Sequence, residues 1–254
     1  MIYYEPIYFC NTMLKPFYYD EKDILEIGVD EAGRGPLFGR VYAAAVILPK
    51  DDDTFDFTDI KDSKKFTSKK KLENKAIYIR ENALGWGVAY EDEKMIDQIN
   101  ILQATQRAMH KAIRECRKIA EKKELQDIDY HLLVDGNYFN SFTEFDNTKG
   151  MITSIPHTCV KGGDNLYSSI AAASILAKVS RDAYIEEICD TYPWLDKYFG
   201  IRSNKGYGAK KHMLAIKEKG ISPWHRQSYA PCKEQKIIPE DHKCSDSDNE
   251  DHEK

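Results

Sequence analysis

The sequence has no apolar run near the roughly 20 residues that a membrane-spanning helix needs. Its first 23 residues, MIYYEPIYFCNTMLKPFYYDEKD, are aromatic and carry acids, without the basic opening and apolar stretch of a secretory leader. None of its six cysteines forms a CxxC pair, and its seven histidines show no HxxxH or HExxH spacing. A disulfide framework and a structural zinc site are therefore not expected. Reduced thiols and a cytoplasmic location fit best. An excess of positive charge is missing too, since the net charge is -5. Residues 233–254 hold 4 Lys against 8 Asp and Glu, leaving 33 basic and 34 acidic residues before them. A body this close to neutral can bind nucleic acid only through a local patch.

What is there is enough for a core. The chain has 254 residues, 42% hydrophobic and 31% charged. That length allows one large domain, or a domain with an appendage. The segment 23–30 reads as a strand ending in acids, and 41–48 (VYAAAVIL) as a buried strand. A helix is expected over 68–83, a strand over 84–90, and a long helical region from Lys94 to about Lys123. Residues 131–134 and 152–160 read as strands. Residues 166–188 read as a helix whose Ala171-Ala172-Ala173 stretch lets it pack close to a sheet. A basic glycine turn, 204–208, precedes a short helix over 210–219. Beyond residue 232 the acidic composition predicts a disordered tail. The element order gives an α/β architecture, a mixed sheet flanked by helices.

Four carboxylates fall at element ends or on the last long helix: Asp30, Glu31, Asp135 and Asp182. Converging carboxylates repel unless cations lie between them, and oxygen-only ligation selects Mg²⁺ or Mn²⁺. Two such ions can clamp the attacking and leaving oxygens of a phosphodiester. Each acid also has an ordinary reading as a turn former or cap, and Asp182 as the partner of Arg181 or Lys178. Asp30 and Glu31 are adjacent, so both reach one site only if the strand breaks or twists at Glu31. Gly33-Arg34-Gly35-Pro36 is either a tight turn or a loop whose backbone approaches a ligand. Lys64, in Asp62-Ser63-Lys64-Lys65, and the Lys205–His212 stretch around Tyr207 form two basic patches, the second with an aromatic for stacking.

Together the runs Gly28–Pro36, Asp62–Lys65, Val134–Gly136, Ser169–Asp182 and Gly206–Gly208 resemble ribonuclease HII, the type 2 ribonuclease H, over about residues 24–231. The resemblance implies a ribonuclease H-like fold with a C-terminal helical appendage from about residue 193. It leaves an N-terminal extension, 1–23, and the tail, 233–254, outside the catalytic domain. It implies metal-dependent endonucleolytic cleavage of RNA in RNA–DNA hybrids and at ribonucleotides embedded in duplex DNA, leaving 5′-phosphate and 3′-hydroxyl ends. Such an activity belongs to ribonucleotide excision repair and DNA replication. By the same resemblance Asp30, Glu31, Asp135 and Asp182 hold Mg²⁺ or Mn²⁺, two ions with substrate bound. Gly33, Arg34 and Gly35 read the 2′-hydroxyl, Tyr207 stacks at the junction, and Lys64 and Lys161 lie near phosphates. The family's Lys-Gly-Asp is one residue longer here, Lys161-Gly162-Gly163-Asp164. A monomer is expected. No sliding-clamp peptide is recognised, because the segment around Gln235–Ile238 lacks an aromatic pair. A DNA nuclease or resolvase, a silent nucleic-acid-binding protein and a small-phosphate phosphatase are the rival readings.

Overall fold

The computed structural model describes residues 14–21, 23–50, 55–123, 125, 128–146 and 150–242. Its centre is a five-stranded sheet of β1 (Ile24–Ala32), β2 (Val41–Ile47), β3 (Gly85–Glu91), β4 (Asp129–Asp135) and β7 (His157–Val160), in the order β3-β2-β1-β4-β7. The first three strands form an antiparallel meander, while β1, β4 and β7 run parallel. The sheet is mixed, as expected. Alternation along β1 sends Leu25, Ile27 and Val29 into one apolar cluster. On β2 both faces are buried, Ala43, Ala45 and Ile47 on one side, Ala44 and Val46 on the other. A strand covered on both faces has to be continuously apolar, which is why VYAAAVI lacks alternation.

One face is covered by α2 (Glu93–Glu121) through Ala108, Met109, Ala112, Ile113, Cys116 and Ala120. The helical region is not continuous: Asn100 takes φ 66° and ψ 164°. Its side chain accepts the Gln103 amide at 3.1 Å, capping a second helix that starts afresh. The other face is covered by α1 (Lys69–Asn82) and α3 (Ser168–Thr191). The small residues of α3 do bring it close to the sheet. A Cβ on Gly28 of β1 would stand 2.1 Å from the Ser169 backbone carbon.

The expected strand over 152–160 is two strands, divided at Pro156, which has no amide to donate. Its first part, β6 (Met151–Ser154), pairs with β5 (Thr143–Asp146) in a separate hairpin, and only β7 joins the main sheet. The C-terminal helices α4 (Pro193–Phe199), α5 (Ile201–Asn204) and α6 (Lys210–Lys219) enclose a second core with Phe38, Trp194, Leu195, Phe199 and Ile216.

Both chain ends described are packed. Lys15 pairs with Tyr167, and the Tyr18 and Tyr19 amides donate to buried Glu26. The expected disorder from residue 233 does not hold as far as 242. Ile221 pairs with Ile237, and Ile238 donates to the Ile221 carbonyl at 2.7 Å. Ile238 is only 7% exposed, so its buried side chain, with the backbone bridge at Ile237, anchors the start of the acidic stretch to the helical core. Residues 243–254, which carry most of the tail acids, lie outside the described residues. Among the described residues no helix is long and apolar enough to cross a membrane.

Candidate active site

Parallel β1 and β4 are in register with Val29 opposite Val134, so the next residues, Asp30 and Asp135, stand side by side at the carboxyl ends of two strands. Open α/β sheets place ligands at such ends. A cleft of about 460 Å³ opens there. Asp30, Glu31 and Asp135 line it, with Gly33, Arg34, Gly35, Lys64 and Tyr207. Asp182 and Lys161 are not among the lining residues, and Lys161 is exposed.

The strand does not break at Glu31. It stays paired with β2 through Ala32. Asp30 and Glu31 share the cleft because it lies across the end of the sheet, where β4 has stopped. Asp30 is 5% exposed, and its Oδ1 accepts the Glu31 amide at 2.7 Å. Asp135 accepts the Gly163 amide at 2.7 Å, delivered by the longer glycine turn after β7. Burial lifts the Asp30 carboxyl well above the ordinary range, and the charges of Glu31 and Asp135 push it further. Burial also raises Glu31, against the pull of Arg34 at 3.2 Å. Asp135 is raised by burial as well, with the Gly163 amide opposing. Three carboxylates thus face one cleft at a free-energy cost that a hard cation would relieve, and an all-oxygen donor set of this kind suits Mg²⁺ or Mn²⁺.

Asp182 is arranged differently. It sits one turn beyond Lys178 on α3, and the Lys178 ammonium meets both of its oxygens at 2.7 Å. As the side chains stand, no group of three or more His, Cys, Asp or Glu among the described residues is close enough to hold an ion.

The basic side chains are tied to the acids. Asp62 caps a short turn through the Lys64 amide at 2.9 Å, and the Asn165 amide group donates to its other oxygen at 3.4 Å. The Lys64 side chain, 80% exposed, reaches to 3.7 Å of Asp164. Burial opposes its charge, but Asp62, Asp164, Asp30 and Asp135 outweigh that and raise its pKa. Tyr207 is 51% exposed beside Gly35, where an added Cβ would lie 3.4 Å from the ring. The Leu37 amide donates to the Gly206 carbonyl at 2.8 Å and joins the two glycine turns.

Sequence reasoning missed Asp164, Ser174, Lys178 and Arg181 as cleft residues. Three of them lie on α3, and helical spacing from the predicted Asp182 offered a signal for Lys178 and Ser174. It also missed Arg226, wholly buried beneath the Gly33–Gly39 segment. No local motif marks that residue, because its partners are nearly two hundred positions away.

Comparison with known proteins bears on this geometry. The structure is similar to that of ribonuclease H2 from Pyrococcus horikoshii, with a TM-score of 0.58 at 22% identity, covering 82% of this chain and 95% of that one. It is also similar to the Bst ribonuclease HIII solved in complex with Mn²⁺, with a TM-score of 0.57 at 19% identity, covering 83% and 68%. These likenesses establish the ribonuclease H-like fold. In sequence the chain is 44% identical over 217 residues to ribonuclease HII of Bacteroides thetaiotaomicron, covering 85% of this chain and 94% of that protein. The family model "Ribonuclease HII" matches residues 27–232, which takes in all five motifs and the sheet-end cleft. The chain therefore belongs to the ribonuclease HII family of ribonuclease H endonucleases, which cleave RNA in RNA–DNA hybrids.

Proposed function

We propose that the cleft cleaves the phosphodiester 5′ of a ribonucleotide, both in hybrids and at single ribonucleotides within duplex DNA, leaving 5′-phosphate and 3′-hydroxyl ends. The observation that carries this reading is that Asp30, Glu31 and Asp135, all three shifted upward in pKa by burial, line one cleft with a glycine loop and an exposed tyrosine. Asp30, Glu31 and Asp135 would hold Mg²⁺ or Mn²⁺, and Asp182 would join them on release from Lys178. When bound, such ions stabilise charge on the phosphate and lower the pKa of an attacking water. The Mn²⁺ complex of the Bst ribonuclease HIII supports this choice of ion.

The chain's own groups do the positioning. Gly163 fixes the Asp135 carboxylate through its amide. Lys64, exposed at the rim, meets a backbone phosphate as a point charge. Tyr207 offers a ring face for the sugar next to the scissile phosphate. The Gly33–Gly35 backbone lines the cleft and reads the ribose 2′-hydroxyl, the atom that separates RNA from DNA. Gly33 is required there: its φ is +94°, and a Cβ would come within 2.2 Å of the Arg181 Nε.

The test is a set of end-labelled duplexes, one with a single ribonucleotide, one a full hybrid and one all DNA, each with Mg²⁺, Mn²⁺ or chelator. Cleavage on the 5′ side of the ribonucleotide with either ion, and none in chelator or on all-DNA duplex, is expected. Cleavage of all-DNA duplex at a similar rate would identify a DNA nuclease instead.

A further inference from the structure

Arg226 is 0% exposed, yet among the described residues no carboxylate lies within ion-pair distance of it. All its donors go to main-chain carbonyls and one phenol. Nη2 donates to Gly33 O at 2.6 Å, Nη1 to Arg34 O at 2.8 Å and Pro36 O at 2.7 Å, and Nε to Gly39 O at 2.9 Å. Tyr229 adds its hydroxyl, donating to Arg34 O at 2.7 Å. A buried guanidinium costs several kcal/mol to desolvate, and four carbonyl dipoles offset that only if they all point at it.

That convergence fixes the other side of the loop. In a planar trans peptide the C=O and the following N–H point in opposite directions. The peptide after Pro36 shows it: its carbonyl faces Arg226, while the Leu37 amide reaches out to Gly206 O at 2.8 Å. The same rule turns the Arg34 and Gly35 amides away from Arg226, because the Gly33 and Arg34 carbonyls face it. The structure gives neither amide a partner among the described residues. Both residues line the cleft. Two unpartnered N–H groups side by side make a site for one acceptor oxygen.

We propose that Arg226, with Tyr229, is a positioning residue for ribose recognition: it holds the loop carbonyls inward so that the Arg34 and Gly35 amides face the cleft and donate to the 2′-hydroxyl oxygen. This rests on the reading of the ribose at Gly33–Gly35 given above. Arg226 itself does not touch substrate. Lysine at 226 would keep the charge but could not span four carbonyls, and the loop would lose its fixed orientation.

The experiment measures binding, not turnover. Fluorescence anisotropy in chelator compares a duplex carrying one ribonucleotide with the same all-DNA duplex, and the ratio of the two Kd values is the ribose preference. The wild-type protein should prefer the ribonucleotide. Arg226→Lys should lose that preference by at least about fivefold, the worth of roughly one hydrogen bond, with its all-DNA Kd within about twofold of wild type. Tyr229→Phe, which removes one hydroxyl and keeps the clamp, should lose about twofold and serves where Arg226→Lys does not fold. A folded Arg226→Lys with undiminished preference, or with both affinities weakened equally, overturns the clamp. If only Tyr229→Phe can be made, an unchanged preference overturns it. A wild-type protein with no preference at all overturns the ribose reading itself, and the clamp with it.

Discussion

Gly28→Ala adds one methyl group at the tightest helix–sheet contact, and its cost follows from the geometry. Gly28 lies mid-strand, opposite Val46 of β2 and Leu133 of β4. Its backbone is extended, so alanine adopts it without strain, and ordering a less flexible chain gains about 0.4–1 kcal/mol. Against this, the new Cβ falls 2.1 Å from the Ser169 carbon, 2.3 Å from its oxygen and 2.5 Å from the Ile170 nitrogen. All three atoms belong to the helix backbone, so no side chain can swing away, and α3 has to lift by about 1 Å or more. Overpacking of this kind costs about 1–3 kcal/mol and sometimes more. The rigid neighbour puts Gly28→Ala at the upper end, about 2 kcal/mol net. For a domain of this size each kcal/mol moves the midpoint by about 2–4 °C, so Tm should fall by about 4–8 °C. The same helix carries Ser174 and Lys178 into the cleft. A 1 Å misplacement costs up to about 100-fold in rate, so cleavage at 20 °C should drop well beyond the loss of folded protein. Circular dichroism melts and single-turnover cleavage measure the two effects. A variant with Tm within 2 °C of wild type and full activity would refute the close approach.

In chelator, Asp30→Asn should melt higher than wild type at pH 8. The Asp30 carboxyl is raised by burial and by its acidic neighbours, so the folded state holds its proton more tightly than the unfolded state does. Stability contributed by that proton is present below the unfolded carboxylate pKa and is lost as pH rises toward the folded one. The Asp30→Asn advantage should therefore shrink toward pH 4, and a constant advantage from pH 4 to 8 would contradict this origin. Tyr207→Phe should retain most activity. Tyr207→Ala loses stacking worth about 1–3 kcal/mol, roughly 5- to 150-fold on a single embedded ribonucleotide and less on a long hybrid; equal, undiminished rates on both substrates would make Tyr207 a surface residue. Ile238→Asp buries a charge in the helical core and should lower Tm by several degrees, and an unchanged melt would return 233–242 to the status of a tail.

Much of this was legible along the chain because the signals are local. The Ala171–Ala173 run announced a helix packed close to a sheet, and Asp30 and Asp135 marked two strand ends. What the sequence hid depends on distant partners or on single-residue geometry. Asn100 interrupts α2 through one backbone conformation that a hydrophobic stripe does not register. Ile237 and Ile238 are too short an apolar signal to outweigh the acids around them. Arg226 looks like an ordinary charge until the fold places it under four carbonyls, whereas the pairing of Lys178 with Asp182 was already one reading of their spacing along the helix.

By the proposed function, the sheet-end carboxylates hold the divalent ions with which the chain cuts at a ribonucleotide. Cleavage of a single-ribonucleotide duplex, titrated with Mn²⁺ for wild type and Asp135→Asn, tests it most directly. Asp135→Asn keeps the shape and removes one charged oxygen. A rate at least about 10³-fold below wild type is expected at every Mn²⁺ concentration, from the loss of several kcal/mol of transition-state stabilisation. A folded Asp135→Asn that cleaves at near wild-type rate with an unchanged Mn²⁺ dependence would contradict it.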